Sequence, residues 1–185
     1  MSLPIPAWPD PATPEGATFF ANARAILAAW AALGLGDPFA LGMLAQAEAE
    51  SSLDPNAKGD YPNHDRTRAP TAFGLHQWHA PRVAAIKAGT GIDVMADVLA
   101  GQGSIQTQIE VAWWELNNAP CFGMKAIESQ ATAYGAALQA CVLFERAGAL
   151  DAAQRRGRMA ERWAVYASGR WPESGGPVPT DWTAS

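Results

Sequence analysis

The chain has 185 residues and a formal net charge of −5, enough for one domain with a substantial core and short for two. The acidic balance excludes a nucleic-acid binder with the usual basic face. It also removes any general attraction to anionic polymers, so binding one has to rest on local groups. Alanine is abundant and β-branched residues are sparse, which favours helix packed on helix over a large sheet.

Residues 1–16 form a proline-rich arm carrying Pro4, Pro6, Pro9, Pro11 and Pro14. Such a segment is extended and lies on the domain or on a partner. Its start has no Lys, no Arg and no apolar stretch of the kind a secretory signal needs. The protein is therefore expected to be made in the cytoplasm and, if its substrate lies outside, to be delivered by something else. A first helix is predicted over 17–33, with Phe19, Ala23, Ile26, Trp30 and Leu33 on one face. Asn22 and Arg24 interrupt the apolar run, so no membrane span is expected.

Asp37-Pro38 reads as a cap followed by proline at the first helical position. The helix it opens runs to Glu50. Residues 51–71 show no period and hold Pro55, Gly59, Pro62 and Pro70, so a long loop is predicted. A loop of that length inside a compact domain is usually functional. Residues 72–78 read as a short strand. Short helices are predicted after Pro81 and after Asp93. Ser104 caps a longer one, with Ile105, Ile109, Ala112, Trp113 and Leu116 on one face. A further helix is predicted from Ser129 to Gly148, and a last one from Asp151 to Tyr166. The main domain is expected over 17–171, with an extended tail over 172–185.

Two cysteines are too few for a disulfide framework. Cys141 sits in an apolar run and reads as a small core residue. Whether it pairs with Cys121 stays open.

The chemistry concentrates at Ala47-Glu48-Ala49-Glu50-Ser51-Ser52-Leu53-Asp54-Pro55-Asn56 and Phe73-Gly74-Leu75-His76-Gln77-Trp78. A carboxylate ending a helix, facing a small strand across a cleft, is the layout of a glycan-cleaving site. A carboxylic acid delivers a proton to a departing sugar oxygen at neutral pH only if its site favours the protonated form. Glu50 continues the stripe of Phe39, Met43 and Ala47, and the negative end of the helix dipole lies beside it. Glu48 aligns with Leu41 and Leu44 on another stripe, so periodicity alone does not choose between the two.

The segment from Glu50 to Ala57 resembles the catalytic segment of the lysozyme-like superfamily. Gly74-Leu75-His76-Gln77-Trp78, then Arg82, then Gln108 through Leu116 with its Trp113-Trp114-Glu115, resemble the later motifs of phage tail lysozyme domains, in the same order. The superfamily also holds goose-type lysozymes and soluble lytic transglycosylases. The resemblance spans roughly 38–118. It implies a mainly α, lysozyme-like domain with a small sheet or hairpin beside the cleft. It also implies a glycosidase that cuts the β-1,4 bond between the amino sugars of peptidoglycan, carried by a virion or phage-like tail. Glu50 is then the acid, and Asp60 is the candidate second carboxylate, ahead of Asp65. Ser51, His76, Gln77, Trp78 and Trp114 are candidate substrate contacts. Trp113 is assigned to the core and Trp114 to the surface. No cofactor, metal, nucleic acid or membrane is expected.

Two departures weaken the match. Segment 58–71 is longer than in relatives, and His76 stands where relatives carry a small or apolar residue. Three alternatives remain. The first is a lytic transglycosylase yielding anhydro-muramyl ends. The second is a metal-dependent cell-wall peptidase using His64, His76, His79, Asp60 and Asp65. The third is a non-catalytic structural module of a phage-like particle.

Overall fold

The computed structural model describes residues 4–118, 121, 123–146 and 150–169. The elements run α1 (Pro14–Ala32), α2 (Asp37–Ser51), β1 (Lys58–Gly59), β2 (Ala72–Phe73), β3 (Trp78–His79), α3 (Ala80–Thr90), α4 (Val94–Leu99), α5 (Ile105–Asn117), α6 (Met124–Glu128), α7 (Ala133–Ala140) and α8 (Leu150–Ala167). A tight turn, Pro62–His64, lies between β1 and β2, and a wide turn, Cys141–Glu145, extends α7. The three short strands form one antiparallel sheet in the order β1-β2-β3, with Lys58 opposite Phe73 and Phe73 opposite Trp78. The mainly helical class with a small sheet is as expected.

Helix α2 is the axis of the molecule. Every residue from Phe39 to Glu48 is buried, as happens to a helix surrounded on all sides rather than resting on one face. It packs on α1, α6, α7 and α8. Gly42 allows a close approach to α7, because a Cβ there would stand 2.8 Å from the Cβ of Ala136. Trp30, Met43, Leu44, Ile109, Leu116 and Trp163 form the centre of the core. Burying side chains of this size contributes about 1.5–3 kcal/mol each.

Several boundaries differ from the sequence reading. Helix α1 begins at Pro14, because the Thr13 hydroxyl accepts from the Gly16 amide, so the arm is shorter than 1–16. Gly36 caps α2, and Asp37 is its first residue. The strand read at 72–78 is two strands of a hairpin, separated by a turn in which the Gln77 amide donates to the Gly74 carbonyl. The helix read from Ser129 starts a few residues later, at Ala133, and a separate short helix precedes it. Helix α6 ends at Glu128, and the Thr132 hydroxyl caps α7 by accepting from the Gly135 amide. Gly148 and the tail 172–185 lie outside the described residues.

The arm lies on the domain. Trp8 stands with its ring centroid 4.2 Å from that of Trp163 and is edge-on to Phe20 and Tyr166. The Arg162 guanidinium sits 4.2 Å from the Trp8 ring centroid, and its Nη1 donates to the Pro6 carbonyl at 2.6 Å. Both cysteines are free, and Cys141 is buried as expected. No helix among the described residues is long and apolar enough to cross a membrane.

Candidate active site

The two glutamates of α2 have different surroundings. Glu48 points into the interior. Its Oε1 accepts from Arg162 Nη2 at 2.5 Å and Trp8 Nε1 at 3.0 Å, and its Oε2 accepts from Trp163 Nε1 at 2.6 Å. Burial pushes this carboxyl above its ordinary range, and Arg162, Trp163 and Trp8 pull against that push. Both oxygens are occupied, so Glu48 has nothing left for a substrate.

Glu50 is half-buried, with its side chain 23% exposed. Its Oε1 accepts from Arg156 Nη2 at 2.5 Å. Its Oε2 makes no hydrogen bond among the described residues. The apolar surroundings expected from the stripe are therefore not what the fold provides, because a guanidinium from α8 fills that side. Arg156 is anchored in turn, its Nη1 donating to Gln46 Oε1 at 2.7 Å. The wide turn adds the Cys141 thiol, which burial holds above its ordinary value.

The chain leaves α2 through two residues in the left-handed region, Ser52 (φ 53) and Leu53 (φ 65). Such backbone costs about 1–3 kcal/mol per residue. It persists because the Leu53 side chain is fully buried and the Leu53 carbonyl accepts from Asn22 Nδ2 at 3.0 Å. Ser51 turns inward, its hydroxyl donating to the Ala47 carbonyl at 2.8 Å. It supports the helix end and is buried.

Gln108 joins this loop to the hairpin. Its Oε1 accepts from the Leu75 amide at 2.8 Å, and its Nε2 donates to the Pro55 carbonyl at 2.7 Å. The hairpin then presents Gln77 at positive φ, 46°. Its Nε2 donates to the Gly74 carbonyl at 2.9 Å. Its Oε1 lies so close over Gly59 of β1 that any Cβ there would overlap it.

The residues on either side of Gln77 are interior. His76 is 1% exposed, and its Nδ1 lies 2.7 Å from Glu145 Oε1. Trp78 is fully buried and donates through Nε1 to Glu115 Oε2 at 2.9 Å. Arg82 bridges the two carboxylates, reaching Glu115 at 2.7 Å and Glu145 at 3.8 Å. Burial works against the Arg82 charge, but Glu115 and then Glu145 outweigh it and hold the guanidinium above its ordinary value. His76 and Trp78 are thus anchors of the hairpin, and neither ring is open to a sugar face.

The α5 tryptophans exchange the places read from sequence. Trp113 is 41% exposed, whereas Trp114 is half-buried and lies against Gly89 of α3. The apolar stripe gave the wrong register because Gln108 and Glu115 are also buried and rotate the inward face.

Asp60 stands just past β1 with its side chain 69% exposed, and its Oδ2 lies 3.1 Å from His79 Nε2. Asp65 is exposed and spends Oδ1 on the Thr67 amide and hydroxyl, which hold its carboxyl below the ordinary range. The histidines are dispersed, with His76 inside and His64 and His79 on the surface. Among the described residues no three His, Cys, Asp or Glu side chains converge as metal ligands would.

Sequence reasoning missed Gln46, Arg156, Arg162 and Glu145. The one local signal was a glutamine one turn before Glu50, in a stretch that is otherwise apolar from Phe39 to Ala47.

A buried helix ending on a half-exposed glutamate, beside a three-stranded sheet, is the frame of a lysozyme-like domain. The family model for phage tail lysozymes matches residues 21–166, and the chain belongs to that family. No curated protein matches it. The family is one of lysozyme-like cell-wall hydrolases.

Proposed function

We propose that the protein is a peptidoglycan glycosidase of the muramidase type, cutting the β-1,4 bond between N-acetylmuramic acid and N-acetylglucosamine, and that it acts as part of a virion or phage-like tail. The observation that carries this is the contrast within α2. Glu48 is sealed in an ion pair, while Glu50 keeps one oxygen unbound at the helix end. Glu50 donates its proton to the leaving oxygen. Gln77, held across Gly59, lines the sugar cleft. Positive charge developing at the sugar is stabilised by Asp60 or by the substrate's own acetamido group.

The exposure of Asp60 and its pairing with His79 favour a second reading, in which Glu50 works alone and the products are anhydro-muramyl ends. The test uses purified protein on stripped cell wall, with and without EDTA, and mass analysis of the released fragments. Glycan fragments released in the presence of EDTA support a glycosidase. Cleaved stem peptides, blocked by EDTA, overturn it in favour of the peptidase. Glu50→Gln should lower the rate by orders of magnitude at little cost in Tm. An active Glu50→Gln would remove Glu50 from the chemistry.

A further inference from the structure

A carboxyl can serve as an acid only if the oxygen that carries the proton is not already claimed by a cation. The Arg156 fork could have gripped both oxygens of Glu50, and that bidentate pairing would hold the group ionised. The structure shows a divided fork instead. Nη1 goes to Gln46 Oε1 at 2.7 Å and Nη2 to Glu50 Oε1 at 2.5 Å. Gln46 cannot turn its amide away, because Nε2 is committed to the carbonyls of Ala137 at 3.0 Å and Gly42 at 3.3 Å. Its oxygen must therefore face the guanidinium. Both residues are buried, Gln46 at 0% and Arg156 at 6% exposure, so water cannot replace either contact.

We infer that Gln46 and Arg156 are positioning residues for Glu50, with Gln46 taking one arm of the guanidinium so that Arg156 fixes Oε1 and leaves Oε2 to carry the transferable proton. A neutral carboxyl keeps the Arg156 bond through its carbonyl oxygen, Oε1, while the hydroxyl at Oε2 faces the glycosidic oxygen. In the step itself the proton leaves Oε2 for the departing sugar oxygen. The C–O bond breaks with its electron pair on that oxygen, the electron-deficient sugar carbon is captured by water or by one of the substrate's own groups, and the resulting carboxylate remains paired with Arg156. This rests on the proposed role of Glu50.

Arg155 and Arg156 of α8, Glu145 of the wide turn after α7 and Glu50 itself all act electrostatically on the neighbouring Cys141 thiol. The test compares pH–activity profiles on soluble glycan chains, with binding to insoluble wall and Tm measured in parallel. Gln46→Met frees Nη1 to swing onto Glu50. The alkaline limb should move to lower pH, with kcat reduced and wall binding unchanged. Arg156→Met removes the cation, and the same limb should move to higher pH. Its kcat should fall about 100-fold through lost orientation. Arg156→Lys keeps the buried charge and should return the limb towards the wild-type position. It also carries the comparison if Arg156→Met does not fold. Displacements in opposite directions support the inference. Limbs that stay in place, or move the same way in Gln46→Met and Arg156→Met, overturn it. An active Glu50→Gln would instead overturn the functional reading beneath it.

Discussion

Gln108→Met tests whether one amide holds the two halves of the site together. Methionine nearly matches glutamine in shape, so packing in α5 is kept while both hydrogen bonds are lost. The Leu75 amide loses its acceptor at 2.8 Å, and the Pro55 carbonyl loses its donor at 2.7 Å. Gln108 is 2% exposed and Leu75 is fully buried, so water does not readily take over. An unsatisfied buried backbone group costs about 1–3 kcal/mol. Two such groups, with the Pro55 side less deeply buried, give about 2–4 kcal/mol. For a chain of this length that corresponds to a Tm lower by roughly 4–16 °C. Activity should fall further than stability explains, because the loop after Glu50 and the hairpin bearing Gln77 would no longer be tied to each other. The assay is calorimetric melting together with the wall-clearing rate measured well below the variant's Tm. A variant within about 2 °C of wild type and fully active would refute the reasoning, since two lost buried bonds are worth more than that.

Three further outcomes are expected. Gly59→Ala pushes a methyl into the Gln77 amide, so wall clearing should drop while Tm changes little; an unchanged rate would show that Gln77 does not depend on this contact. Trp8→Ala strips the ring from Trp163, Phe20 and Tyr166 and removes one donor to Glu48, and should destabilise by about 2–4 kcal/mol, judged against buried-aromatic truncations and reduced for partial exposure. Denaturant unfolding with no shift in midpoint would mean that the arm contributes nothing to the fold. Asp60→Asn should leave Tm unchanged because the His79 pair is exposed; a large rate loss with reducing ends among the products would make Asp60 the second carboxylate, and a small loss with anhydro ends would leave Glu50 alone.

Much of this protein could be read from local chemistry. Proline, glycine and capping residues act within a few positions of themselves. For that reason the start of α2 to within one residue, the Ser104 cap of α5 and the helix after Asp93 were legible in sequence, as was the motif that begins at Glu50. The helical class followed from alanine and from the shortage of β-branched residues. Other features needed the tertiary structure. Periodicity could not separate Glu48 from Glu50, because α2 is surrounded on every side and has no outward stripe to read. The decision came from α8, over a hundred residues away, which sends Arg162 to one carboxylate and Arg156 to the other. The same holds for His76, Trp78 and the α5 tryptophans. Their side chains suit a cleft or a core equally well, and only the carboxylates of Glu115 and Glu145, brought in by packing, drew His76 and Trp78 inside. Ion pairs and buried hydrogen bonds join residues by distance in space, and sequence spacing carries no record of that distance.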